Sequence, residues 1–344
     1  MNLTNKKISI IGAKRSGIGA AKLVKQLGGI PFVSDSTSDE KMNHFIQQLE
    51  NENIQYELGV HSERVFDAEL FVVSPGVPSD AKVILDAKKK GIEVLSEVEL
   101  AFNFCAGTII SITGTNGKTT TTAFLGHVLN ECGLKSFVAG NIGLAFSEIV
   151  LDVKKDDYVS LETSSFQLDY IKNFRAKISM ILNITIDHLD RYDNKFENYV
   201  ASKYRIFENQ TDSDALIIND DNEALCNYEI KTKAAIKKFS FTKKPANGVF
   251  VESNFAIYFE NGIEKFRFNL NDLFIRGEHN WQNAMAVIIA AKLLGVNNEK
   301  LTKALCSFRG VEHRLELVKE IDGVKYINDS KATNIDSVIY ALKS

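Results

Sequence analysis

The sequence predicts an α/β protein of mostly parallel sheets in more than one domain, on three observations. Apolar strand-like runs alternate with helix-period segments from residue 7 onward, and a second such series opens at TIISITG (108–114) with a glycine-rich turn. A chain of 344 residues also exceeds one compact core, since about 150 residues per domain gives two or three domains.

KISIIG (7–12) is the first strand, a helix over 17–28 stops at Gly28-Gly29, and IPFVSD (30–35) is the second strand, which makes a βαβ unit. An acidic helical stretch and two short strands, LFVVSPG (70–76) and GIEVLSE (91–97), complete a first domain over 1–96. After TIISITG, a helix over 118–132 carries Phe124, Leu125, Val128 and Leu129 at helical spacing and ends before Gly133. DYVSLE (157–162), AKISMILNIT (176–185) and DALIIND (214–220) are apolar enough to be buried strands. Residues 237–275 alternate apolar and polar positions around Pro245-Ala246-Asn247-Gly248 and Glu260-Asn261-Gly262, which predicts an antiparallel hairpin region at the sheet edge. A helix over 280–294 and a second helix lead to FRGVEHRLE (308–316), closing a second domain over 97–310. Residues 311–344 hold a strand and loop, KYINDSKATN (325–334), and the start of a helix, DSVIYALK (336–343). An ordinary domain needs about 100 residues to bury a core, so this stretch reads as the incomplete start of a third domain.

Composition excludes several function classes. The 41 Lys and Arg are balanced by 44 Asp and Glu, net −3, so the basic footprint of a nucleic-acid binder is absent. No window approaches 18 uninterrupted apolar residues, so membrane insertion is not expected. Cys105, Cys132, Cys226 and Cys306 are isolated and fit a reducing compartment, which favours the cytoplasm.

SITGTNGKTT (111–120) resembles a phosphate-binding loop whose first glycine stands at Gly114 rather than at position 112, where Ile112 sits. Glycines let backbone N–H groups face phosphate oxygens, Lys118 reaches the outer phosphates, and the Thr119 hydroxyl suits Mg²⁺. In LETSSFQL (161–168), Glu162 ends a strand where a Mg²⁺ ligand belongs, although a carboxylate there is also compatible with a plain surface position. NITIDHLDRY (183–192) places His188 and Asp190 past another strand, while Lys203 in a helix has no pattern of its own. GAKRSG (12–17) has Lys14 where a dinucleotide fingerprint needs glycine, which leaves a cationic turn for some other phosphate. SPGVP (74–78) is a second polar turn facing the same sheet edge.

Taken together with G-N-I-G (140–143), S-K-Y-R-I-F (202–207), H-N-x-x-N-A (279–284), H-R-L-E (313–316) and I-N-D-S-K-A-T-N (327–334), these motifs resemble the Mur ligases. Those are ATP-dependent amide-forming enzymes of peptidoglycan precursor synthesis. The resemblance implies an N-terminal Rossmann-like domain, a central P-loop ATPase-type domain, and the beginning of a C-terminal Rossmann-like domain. Within the family, E-x-S-S-F-Q-L, D-S-K-A-T-N and the S-P-G turn point to the branch that joins D-glutamate to UDP-N-acetylmuramoyl-L-alanine through an acyl phosphate.

Residue by residue, the resemblance gives ATP to Gly114, Thr115, Asn116, Gly117, Lys118, Thr119, Thr120, Asn280, Arg314 and Asp329. One Mg²⁺ goes to Thr119 and Glu162, and a second to His188 and Lys203, the lysine as a carbamate formed from CO₂. Lys118, His188, Lys203 and Lys331 are the implied catalytic groups. Lys14, Arg15, Ser16, Asp35, Ser74, Pro75 and Gly76 would take the uridine diphosphate, with Asn141 and His188 facing the muramoyl-alanine end and Thr333 near the reacting groups. A cytoplasmic monomer is expected. Because the family's third domain contacts the incoming amino acid, the chain taken alone is expected to ligate poorly. The rival readings are another ligase of the Mur or folylpolyglutamate type, and a non-catalytic UDP-sugar or nucleotide-binding protein.

Overall fold

A computed structural model describes residues 1–332 together with Val338, Ile339 and Leu342. The first sheet contains β1 (Lys7–Ile11), β2 (Ile30–Asp35), β3 (Gln55–Leu58), β4 (Leu70–Val73) and β5 (Glu93–Ser96), in the order β3-β2-β1-β4-β5. All its neighbours are parallel. The chain direction across the sheet reverses between β1 and β4, and open parallel sheets bind ligands in the crevice at such a reversal.

The second sheet contains β6 (Thr108–Thr113), β7 (Ser136–Gly140), β8 (Tyr158–Glu162), β9 (Ile178–Ile181), β10 (Ala215–Asn219), β11 (Ala235–Ser240), β12 (Gly248–Glu252), β13 (Phe255–Glu260) and β14 (Ile263–Asn269). Its order is β14-β13-β12-β11-β10-β9-β6-β8-β7. This puts β6 between β8 and β9, parallel to both. The carboxyl ends of three strands, far apart in sequence, therefore open onto one spot.

Helix Lys118–Glu131 covers one face of this sheet beside helix Glu278–Leu293. The latter is apolar on every side from Ala284 to Ala291, and all of those residues are fully buried, as expected for a helix inside a core. On the other face, one cluster of buried residues runs from Ile8 of β1 and Leu23 of helix Arg15–Gln26 through Val98 and Leu100 to Phe146 of the short helix Phe146–Ile149 and Leu161 of β8. Among the described residues, no helix is long and apolar enough to cross a membrane.

Three sequence expectations change. β3 and β7 are short edge strands whose side chains are mostly half-exposed, so they lack a strong apolar run. The region 237–275 is not wholly antiparallel: β11 runs parallel to β10 and β12 parallel to β11, and only β12-β13-β14 alternate in direction. Alternating hydrophobicity reports one-sided burial and says nothing about strand direction. Past residue 311 the chain forms an antiparallel hairpin of β15 (Glu316–Ile321) and β16 (Val324–Asn328), instead of a single strand. Asp322 and Gly323 turn it with φ of 50° and 80°, and Asp-Gly is the strongest short hairpin signal.

Candidate active site

The loop between β6 and helix Lys118–Glu131 is shaped by glycines in left-handed or extended positive-φ backbone. Gly114 has φ 156° and Gly117 φ 83°, and a Cβ at Gly117 would lie 2.6 Å from Asn283 Oδ1. The end of β9 pins the loop: Asn183 O accepts from Thr115 N (2.9 Å) and Asn183 Oδ1 from Asn116 N (2.8 Å). Thr115 Oγ1 accepts from Thr185 N (3.0 Å). Lys118 Nζ donates to the carbonyls of Gly114 and Thr115, both at 2.9 Å. Both partners are neutral, so the ammonium faces the loop interior without spending its charge on a carboxylate there.

Next to the loop, the β8 terminus delivers Glu162, buried at 2% exposure. Thr119 Oγ1 donates to Glu162 Oε2 (2.8 Å), and Asn141 Nδ2 donates to Glu162 Oε1 (3.0 Å). Arg314 Nη2 donates to Thr119 Oγ1 (3.2 Å), while Arg314 Nε is buried with no partner among the described residues. A carboxylate and a hydroxyl in contact form an oxygen donor set for a hard divalent cation. An orphaned guanidinium N–H beside them is a donor still open to an anion's oxygens.

Lys203 lies underneath, at 1% exposure, with Nζ donating to Gly114 O (2.9 Å) and standing 4.5 Å from the centre of the Tyr199 ring. Burial, reinforced by the nearby charge of Lys118, pushes its pKa well below the ordinary lysine value. Lys118 is lowered as well, by burial first. His188 caps the turn Leu189–Arg191 in a left-handed conformation. It is half-exposed, with Nε2 3.7 Å from Asp187 Oδ2 and its ring edge-on to Phe166 at 5.3 Å.

A cleft of about 710 Å³ opens at the β1/β4 reversal. Lys14, Arg15, Ser16, Asp35, Ser74, Pro75, Gly76 and Asn141 all line it. The Asp35 carboxylate accepts from Ala13 N (2.7 Å) and Thr37 N (2.8 Å), fixing the turns after β1 and β2 to each other. Gly17 is required at the helix start, because a Cβ there would fall 1.8 Å from Gly12 O.

Asn280 sits in helix Glu278–Leu293 and accepts from Asn283 Nδ2 (3.1 Å), and Asn283 in turn accepts from Thr121 Oγ1 (3.0 Å). Asp329 Oδ1 accepts from Leu315 N (3.2 Å), and the Lys331 side chain is exposed. Thr333 lies outside the described residues. Sequence reasoning quoted Asn183 and Asn283 inside motifs without giving them work, and did not name Tyr199. It also missed His44, Gln48 and His61 in the cleft wall. The signal for Asn183 and Asn283 was only positional, as polar residues inside N-I-T and H-N-x-x-N-A, while His44, Gln48 and Tyr199 lie within helices with no local signal.

Known proteins resemble the chain over both sheets. Residues 112–291 match the Mur ligase middle domain, and residues 6–96 match the N-terminal domain of MurD-like Mur ligases. The chain is 43% identical over 343 residues to UDP-N-acetylmuramoylalanine–D-glutamate ligase of Christiangramia forsetii, covering 98% of this chain and 76% of that protein. It is 38% identical to the same-named ligase of Salinibacter ruber, covering 98% and 75%. Among solved structures, UDP-N-acetylmuramate-alanine ligase of Thermotoga maritima superposes with a TM-score of 0.64 at 22% identity, covering 98% of this chain and 77% of that one. The MurF ligase of the same organism, in complex with ADP, gives 0.58 at 15% identity, covering 99% and 74%.

Proposed function

Because this chain belongs to the Mur ligase family, we propose that it joins D-glutamate to the alanyl carboxylate of UDP-N-acetylmuramoyl-L-alanine while ATP is converted to ADP and phosphate. The observation that carries the reading is the convergence of Lys118, Thr119, Glu162 and buried Lys203 on one loop at the ends of β6 and β8. Residues 1–96 serve the sugar nucleotide, residues 97–310 serve ATP, and residues 311–344 face the amino acid.

A carboxylate is a poor electrophile and must be activated before an amine can attack it. A carboxylate oxygen of the alanyl end attacks the γ-phosphorus, the bond to the β-phosphate oxygen breaks, and ADP leaves. The glutamate amine then attacks the acyl carbon, loses a proton, and phosphate departs with the electron pair of the C–O bond. Negative charge gathers on the transferring oxygens, so alignment and neutralisation supply most of the acceleration. Lys118 and Arg314 hold the outer phosphates, at the positive N-terminal end of helix Lys118–Glu131 whose first-turn N–H groups suit phosphate oxygens.

Asn280 and Asp329 hold the nucleoside end. Thr119 and Glu162 would hold one Mg²⁺, and His188 with Lys203 a second, the metals supplying further neutralisation of phosphate charge. Burial pushes the Lys203 pKa well below the ordinary lysine value, which favours the neutral amine that CO₂ converts to an oxygen-bearing carbamate. The sugar nucleotide lies in the first-sheet cleft on Lys14, Arg15, Ser16, Asp35 and Ser74-Pro75-Gly76, with Asn141 and His188 toward the muramoyl-alanine end and Lys331 and Thr333 beside the reacting groups. Both sites come from one chain, which favours a monomer, and the four free cysteines favour the cytoplasm.

The test is D-glutamate-dependent phosphate release from ATP with the sugar-nucleotide acceptor. Lys118→Ala and Glu162→Gln should each lower kcat by about 10² or more. Activity should fall in bicarbonate-free buffer and with Lys203→Ala. A Lys118→Ala protein with wild-type turnover would sink the assignment.

A further inference from the structure

Two arginines cross between the sheets in opposite directions. Arg15, at the start of the helix after β1, donates from Nη2 to Asn141 O past the end of β7 (3.0 Å). Arg191, in the turn after His188, donates from Nη2 to Val77 O in the polar turn after β4 (2.9 Å). Each sheet thus grips a carbonyl of the other.

We propose that Arg191 is a positioning residue which, as one half of this clasp, sets the spacing between the sugar-nucleotide cleft and the phosphate loop. The proposal rests on the function given above, since it concerns a substrate that must reach from one to the other.

Arg191 is itself rigidly seated. Its guanidinium lies 4.3 Å from the centre of the Phe166 ring, and that ring is near-parallel to Tyr192, with centroids 5.9 Å apart and an interplanar angle of 7°. Phe166 belongs to the short helix Ser165–Leu168, whose start is locked by a reciprocal box: Ser164 Oγ accepts from Gln167 N and Gln167 Oε1 accepts from Ser164 N. The same ring meets His188. At the far end, Val77 N closes its turn onto Ser74 O (3.0 Å), and Val77 lines the cleft. One side chain therefore ties the turn proposed to hold the diphosphate to the loop that carries His188.

A substrate anchored by its nucleotide in the first sheet presents its carboxylate at the second. Where that carboxylate falls depends on how the two sheets are held, and a misplacement of about 1 Å costs on the order of 10² in rate. Arginine suits the task because a planar fork can stack and donate at once, whereas lysine can only donate.

The experiment compares the full-length wild type with Arg191→Ala and Arg191→Lys. Phosphate release gives kcat, and calorimetry gives separate dissociation constants for UDP and for a non-hydrolysable ATP analogue. Arg191→Ala should lose about 10-fold to 10²-fold in kcat, with both dissociation constants unchanged, and Arg191→Lys should recover part of the rate. Unchanged kcat in Arg191→Ala overturns the proposal, as does joint weakening of both nucleotides together with a lowered Tm. If wild type releases no phosphate with this substrate pair, the ligase reading fails instead. The clasp is then judged by amide hydrogen exchange in residues 74–78: faster exchange in Arg191→Ala supports it, and unchanged exchange overturns it.

Discussion

Replacing Gly117 with alanine should damage the loop through two separable effects. Its φ of 83° lies in the left-handed region, where a Cβ costs about 1–2 kcal/mol. The new Cβ would also fall 2.6 Å from Asn283 Oδ1, so Asn283 must move. Its bonds from Thr121 Oγ1 (3.0 Å) and to Asn280 Oδ1 (3.1 Å) then break. A buried polar group left unsatisfied costs about 1–3 kcal/mol, which brings the total to about 2–5 kcal/mol. For a unit of this size each kcal/mol lowers Tm by about 2–4 °C, so scanning calorimetry should show a fall of at least about 4 °C. The effects separate in an Asn283→Ala background, where the steric part disappears and only the backbone part, about 1–2 kcal/mol, should remain. An equal cost of Gly117→Ala in both backgrounds, or an unchanged Tm, refutes the reasoning.

Two further predictions concern pH. Lys203 has its pKa depressed by burial, so the unfolded chain binds more protons over the window from that depressed value up to the ordinary 10.5, and native stability rises with pH there. Lys203→Met removes this dependence, so its Tm relative to wild type should be most favourable at low pH and decline toward pH 10.5; a flat difference would contradict the burial argument. Glu97 has its pKa raised to about 6 by burial, against an ordinary 4.5. Its Oε1 accepts from Ser147 N (2.6 Å), while Oε2 is buried with no hydrogen-bond partner among the described residues. Here the native state binds the extra proton, so the stability it contributes is complete below pH 4.5 and is lost as pH rises through about 6. Glu97→Gln should therefore match wild type below pH 4.5 and exceed it by up to about 2 kcal/mol above pH 6 in denaturant unfolding.

How much was readable differs by residue. Strand β6, the loop and helix Lys118–Glu131 were legible because one contiguous stretch contains the apolar run, the glycines, Lys118 and the helical spacing. Lys14, Arg15, Ser16, Asp35 and the 74–76 turn were also legible as positions, and the structure collects them in one cleft. Lys203 had no local signal, since a helical lysine is ordinarily solvated; its complete burial comes from packing beneath Gly114. Arg191 was quoted only as part of a motif, because its partner Val77 is 114 residues away. The parallel direction of β11 and β12 was misread because periodicity carries burial and not direction.

The amino-acid order alone determines the βαβ alternation and the glycine-rich loop with Lys118 and Thr119 at the start of the following helix, because each depends on neighbours within a few residues. Only the tertiary structure decides that β6 lies between β8 and β9, and so that Glu162 meets Thr119, Asn183 meets Thr115 and Asn116, and Lys203 meets Gly114. Strand order is a long-range outcome of burying many apolar faces at once, and no local window of residues contains it.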